Sequence, residues 1–207
     1  MKKADVLIKN AYIITMDHDR NIISNGCIVI DKDKITAVGG GELASCYEAS
    51  RVVDAKGKFV FPGMISTHSH LFQTMLKGLG RDKLLFDWLD SSVRTALHRF
   101  DGEMCYYAAL TGCMEAIQSG TTTLLDYMYC HTSPGLSDYL TQAMEDIGIR
   151  GIYGRGFTNT ANFPPEFKVA HHDTEQDMFD DVRRLYKKYE GHSRMSVALA
   201  PGIIWDN

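Results

Sequence analysis

Short runs in which apolar and polar residues alternate fill the first 57 positions, and helical periodicity begins only beyond them. Val6 and Ile8, then Tyr12 and Ile14, recur at every second residue, the period of a half-buried strand. Cys27–Ile30 and Ile35–Val38 flank the polar turn Asp31-Lys32-Asp33-Lys34, which predicts a hairpin ended by Gly39-Gly40-Gly41. Arg51–Asp54 and Phe59–Phe61 are two further extended runs around Gly57. A helical turn fits only between Glu42 and Ala49.

From residue 58 strands and helices alternate. Lys58–Ser66 predicts a strand interrupted by Pro62-Gly63, and Thr121–Asp126, Ile149–Phe157 and Met195–Ala200 predict three more. Asp101 is placed to cap a helix reaching Ser119, with Met104, Tyr107, Ala108, Met114 and Ile117 as its apolar stripe and Gly120 as its stop. Leu136, Tyr139, Leu140, Ala143, Met144 and Ile147 hold helical spacing up to Gly148. Asp173-Thr174-Glu175-Gln176 has capping-box character with Asp173 at the cap, and opens a helix expected to carry Met178, Phe179, Val182, Leu185, Tyr186 and Tyr189 on one face. Between these elements lie the segment Leu76–Phe100 and the polar loop Asn159–Val169.

Such alternation implies a parallel sheet. A closed barrel of eight strand–helix units takes about 250 residues, and residues 58–207 supply four strands. The expectation is an α/β chain: a small β-sandwich over 1–57, the N-terminal part of a composite domain, then the first half of a (β/α)₈ TIM barrel over 58–207. An open parallel sheet leaves edges and apolar faces uncovered, so a homo-oligomer or a complementing C-terminal half is expected to cover them.

Composition narrows the partners. Hydrophobic residues make up 44% and charged ones 23%, enough apolar material for a core. A net charge of -4 offers no basic footprint for nucleic acid. No apolar run approaches the roughly 20 residues of a membrane helix, and Val6-Leu7-Ile8 is broken too soon by Lys9 and Asn10 for a secretory leader. A cytoplasmic protein without membrane contact is expected. The five cysteines (Cys27, Cys46, Cys105, Cys113 and Cys130) lack CxxC spacing, which disfavours a disulfide framework or a cysteine-bound zinc; Cys105 and Cys113 fit core thiols of one helix.

The chemistry concentrates in Phe61-Pro62-Gly63-Met64-Ile65-Ser66-Thr67-His68-Ser69-His70-Leu71. Residues i and i+2 of a strand share a face, so His68 and His70 project together from the C-terminal end of the first barrel strand. Neutral imidazoles ligate zinc and related ions. The segment PGMISTHSHLFQTMLKGLGRDKLLFDWL (Pro62–Leu89), with SGTTTLLD (Ser119–Asp126) and MSVALAP (Met195–Pro201), resembles the amidohydrolase superfamily. Within it the segment is most similar to the cytosine-deaminase-like aminohydrolases, the triazine hydrolases and the S-adenosylhomocysteine deaminase group.

That resemblance implies one divalent metal, zinc first and iron second, with His68 and His70 as two of its ligands. It implies hydrolytic deamination of a purine, pyrimidine or triazine-type ring by metal-activated water, with dechlorination of a triazine-like ring as the alternative. A third histidine, an aspartate and a proton-shuttling glutamate are expected beyond Asn207, since no HxxE occurs here. The catalytic residues of this chain are therefore unknown, and a non-catalytic binding or assembly role is the rival to an enzyme. Gln73, three residues past His70, is a candidate to hydrogen-bond the substrate ring, and Trp88 to stack on it. Arg155, at the end of the third barrel strand, is a candidate for an anionic substrate group or a structural ion pair. Asp126, at the end of the second strand, is a candidate to orient a ligand histidine, though a capping or loop role suits it better, and His131 in the following loop is a candidate to reach substrate. The ending Ala200-Pro201-Gly202-Ile203-Ile204-Trp205 departs from the polar ending of many relatives, which leans toward small rings.

Overall fold

The computed structural model describes residues 1–97, 99–159, 169 and 171–202. Trp205 and His98 lie outside the described residues, as does most of the loop expected from Asn159 to Val169. The chain divides into two compact units, Met1–Pro62 and Gly63–Asn207.

The first unit is built on one long strand, β1 (Lys2–Ile14). β2 (Ile22–Asp31) pairs with it antiparallel and β3 (Lys34–Gly40) returns along β2, closing the expected hairpin. A 3₁₀ turn, Gly41–Cys46, stands where the helical turn was expected. β4 (Tyr47–Asp54) and β5 (Phe59–Val60) then pair parallel with β1. Because Phe59 and Val60 register with Tyr12 and Ile13, residues 58–62 group with this unit rather than opening the second. Among the described residues the five strands make a single sheet, where a sandwich needs two facing sheets. Its apolar residues gather in two clusters, one around Leu7, Cys27 and Val29, the other around Ala11, Ile13, Ile28 and Ala55.

The second unit carries four parallel strands in sequence order: β6 (Met64–Ser69), β7 (Thr121–Met128), β8 (Arg150–Arg155) and β9 (Met195–Leu199). After β6 come a 3₁₀ turn (Leu71–Leu76) and a helical run from α1 (Leu85–Trp88) through a π turn (Leu89–Val93) to α2 (Arg94–Leu97). The full-length helices are α3 (Gly102–Gln118), α4 (Leu136–Ile147) and α5 (Glu175–Lys188). No helix among the described residues is long and apolar enough to cross a membrane.

Local chemistry explains the helix ends. Asp101 accepts the Met104 N–H at 2.8 Å, and Asp101→Ala should cost about 1 kcal/mol of stability, checked by urea melts against the unsubstituted chain. Gly148, at φ 80°, closes α4 by donating its N–H to the Met144 and Glu145 carbonyls. The α5 capping box is shifted by one residue from expectation. Thr174 is the cap, exchanging hydrogen bonds with Asp177 (3.1 and 3.0 Å), because Asp173 is occupied by Arg155.

One core cluster holds the strands to the helices, centred on Leu124, Met128, Leu140, Met144, Tyr153 and Leu185. The buried face of α3 differs from the expected stripe. Cys105, Ala108, Ala109 and Cys113 are buried, while Tyr107, Met114 and Ile117 are exposed. Cys105 and Cys113 lie near Asp126 of β7, and small side chains let a helix pack closely on the layer beneath it, which outweighs the greater hydrophobicity of the large ones.

Candidate metal centre

The end of β6 is anchored to β7 residue by residue. Ser66 registers with Leu124, but Ser69 registers with Asp126, so β6 spends three residues where β7 spends two. This bulge re-aims the strand. Residues in register share a face, so Ser69 points with Asp126 toward the helices, and His68 and His70 turn toward the opposite face with Tyr127. There they line an open cavity of about 460 Å³.

The His70 Nδ1 lies 2.7 Å from the Tyr127 carbonyl oxygen. A carbonyl only accepts, so Nδ1 carries the proton and Nε2 keeps its lone pair. Burial lowers the His70 pKa, partly offset by that hydrogen bond, with His68 lowering it further. The ring is thus neutral, the form that ligates a metal. The two imidazole centres are 4.7 Å apart at 82°. Two imidazoles on one tetrahedral ion, bound at about 2.0–2.1 Å, have ring centres roughly 5 Å apart. Donor type, protonation and spacing fit one divalent ion. Among the described residues no other histidine, cysteine or carboxylate joins them in a three-ligand cluster.

Gln73 and Trp88 line the same cavity. Gln73 is half-buried and its Nε2 donates to the Tyr129 hydroxyl at 2.5 Å, leaving Oε1 as an acceptor. Tyr129 packs edge-on to His70 at 5.2 Å. Leu85, Leu89, Val93 and Leu97, each four residues after the last, form an apolar wall, with Arg94 at its margin. Tyr127, Tyr129, Cys130 and Thr158 complete the lining. Spacing by four in residues 85–97, and the alternation that puts Tyr127 and Tyr129 on one face, were the signals for residues missed from sequence. Gly156 makes room for both tyrosines, since a Cβ there would stand 2.4 Å from the Tyr127 ring and 2.7 Å from the Tyr129 Cα.

Arg155 does not join them. Its guanidinium is buried, 2.8 Å from both Asp173 oxygens and 3.0 Å from Asp181. It also donates to the His131 Nδ1 at 2.8 Å. The ion-pair alternative is the one observed, and Arg155 lines a different cleft from His68 and His70. His131 is likewise scaffold: buried, it contacts the Tyr153 hydroxyl at 3.0 Å and lines a different cleft from His68 and His70. His171, Asp173 and Asp177 do cluster within reach of one ion, but Asp173 is already paired with Arg155 and Asp177 with the Thr174 cap.

Asp126 faces the helices and not the cavity mouth. It is fully buried, and its Oδ1 accepts the Leu71 N–H at 2.7 Å. Burial pushes its pKa up to about 7, opposed by that hydrogen bond. Its carboxylate thus holds the first N–H of the 3₁₀ turn that follows His70.

Comparison with known proteins matches this architecture. A 5-methylthioadenosine/S-adenosylhomocysteine deaminase of Bacillus cereus is 30% identical over 187 residues, 90% of this chain and 40% of that protein. The structure of an adenosine deaminase from Xanthomonas campestris with bound zinc superposes with a TM-score of 0.83 at 20% identity, covering 97% of this chain and 43% of that one. An atrazine chlorohydrolase from Arthrobacter aurescens, complexed with zinc, gives 0.79 at 21% identity, covering 98% and 48%. The chain spans less than half the length of each. Its four parallel strands are thus part of a TIM-barrel fold, and the amidohydrolase family model matches residues 59–205. The chain belongs to the amidohydrolase family.

Proposed function

We propose that this chain carries the N-terminal part of a metal-dependent hydrolase that removes an amino group from a nitrogen heterocycle. The observation that carries the reading is the convergence of His68 and His70 on one cavity with aromatic and aliphatic walls. These two histidines hold a divalent ion, zinc in the first instance because zinc is bound in the similar deaminase and chlorohydrolase structures, with iron second. Such an ion supplies hydroxide near neutral pH.

The chain's own residues bind and orient. The Tyr127 carbonyl keeps the His70 Nε2 toward the cavity. Gln73, held by Tyr129, offers Oε1 to a ring N–H or an exocyclic amine. Trp88 and Tyr127 present faces for a planar ring, and the Leu85–Leu97 wall keeps water from that side. We assign the third ligand and the proton-transferring groups to the portion of the relatives that this chain does not span. The same portion, or a second copy, would cover the barrel strands and supply the facing sheet of a sandwich over the first unit. A cytoplasmic setting suits five cysteines that form no disulfide among the described residues.

A second reading, chloride displacement from a triazine-like ring, draws on the likeness to the atrazine chlorohydrolase. Both are tested by assaying the intact, metal-loaded protein on aminated and chlorinated purines, pyrimidines and triazines. Ammonia release is expected, with aminopurines first because the similar deaminases act on adenosine-type substrates by name. Chloride release alone would move the reading to dechlorination, and neither product would overturn both.

A further inference from the structure

We propose that Asp126 is a positioning residue of the metal centre, its carboxylate clamping the peptide that follows His70 and so setting where that imidazole points. The inference rests on the reading of His68 and His70 as ligands.

Three successive residues of β7 hold Ser69, the last residue of β6, and the two residues that follow it. The Leu125 carbonyl accepts the Ser69 hydroxyl, the Asp126 carboxylate accepts the Leu71 N–H and the Tyr127 carbonyl accepts the His70 Nδ1–H, each at 2.7 Å. The two outer bonds end on backbone carbonyls, which any residue at those positions supplies. The middle one needs a side chain of aspartate length with an acceptor at its tip.

The clamp follows directly on an irregular stretch of the ladder. Between Ser66 and Ser69 the bulge leaves β6 out of step with β7, so the ladder alone does not fix the turn of the chain at His68 and His70. After Ser69 the chain leaves the sheet, and the 3₁₀ turn begins at Leu71. Packing does not account for an acid here. Leu124 and Met128, on the same face of β7, are apolar and buried, whereas the buried Asp126 Oδ2 has no hydrogen-bond partner among the described residues. A carboxylate oxygen left so costs stability, and the gain it offsets is the hold on Leu71.

The test compares Asp126→Asn, which keeps the acceptor, with Asp126→Leu, which keeps the bulk and removes it. Cobalt(II) titration of the metal-free protein, followed by its visible spectrum, reports ligand geometry, and thermal melts report folding. Asp126→Asn should bind within about twofold of the unsubstituted protein. Asp126→Leu should melt as a folded protein yet bind cobalt at least tenfold more weakly, about the loss expected when a group orienting a ligand is removed. Its cobalt spectrum should also be altered. A folded Asp126→Leu with unchanged affinity and spectrum would overturn the proposal. Amide exchange in the unsubstituted protein needs no variant: Leu71 should be strongly protected, and fast exchange there overturns the clamp even if Asp126→Leu does not fold. Cobalt binding that is absent, or indifferent to His70→Ala, would instead overturn the ligand reading.

Discussion

Arg155→Met is expected to destabilise the second unit by about 3–5 kcal/mol, the cost of removing one partner from a buried ion pair. Arg155 and Asp173 are 3% and 1% exposed, and two parallel hydrogen bonds join them. Burial alone would pull the guanidinium pKa down, but Asp173 and Asp181 outweigh it and hold the charge. Methionine fills a similar volume and supplies no donor, so the Asp173 carboxylate stays buried with its counter-charge gone. The loss spreads further, because Arg155 donates to the His131 Nδ1 and so leaves the His131 Nε2–H to face the Tyr153 hydroxyl. Tyr153 in turn donates to Ser137, and Ser137 to Asp181, which returns to Arg155. Urea denaturation measures the effect. A loss under 1 kcal/mol would mean that the pair is not desolvated as described. The double variant Arg155→Met/Asp173→Leu should recover much of the stability, since both charges then leave together.

His70→Ala should weaken divalent-metal binding by roughly 100-fold or more, since changing groups that merely orient a ligand already costs 10–100-fold. Its pH dependence follows from the lowered His70 pKa. Protons compete with the metal at His70 only once its imidazole charges, so the part of the affinity lost in His70→Ala should persist to a lower pH than an ordinary histidine, with its pKa of about 6.5, would allow. Calorimetric zinc titrations of both proteins across a range of pH provide the measurement. Equal affinity of the two at pH 7.5 would remove His70 from the ligand set.

Much of the scaffold was readable from residues close together in the chain. The hairpin around Asp31–Lys34, the Asp101 cap, the α4 stripe ended by Gly148 and the four barrel strands each rest on a period or a cap a few residues long. The pairing of His68 with His70 is of the same kind, two positions on one strand.

What stayed hidden depends on partners distant in sequence. Arg155 reads equally as substrate ligand or ion pair until the fold brings Asp173, 18 residues on, against it. The same contact moves the α5 cap from Asp173 to Thr174. In α3 hydrophobicity pointed to Tyr107, Met114 and Ile117, while packing into the core cluster selected Cys105, Ala109 and Cys113 for burial. By itself the sequence determined the order and type of the elements and the histidine pair, because periodicity and capping are properties of neighbouring residues. Tertiary structure alone decided the bulge that aims those histidines, the Asp126 hold on Leu71 across 55 residues, and the cavity walls. Those features arise from strand register and desolvation, and both exist only once distant segments are packed together.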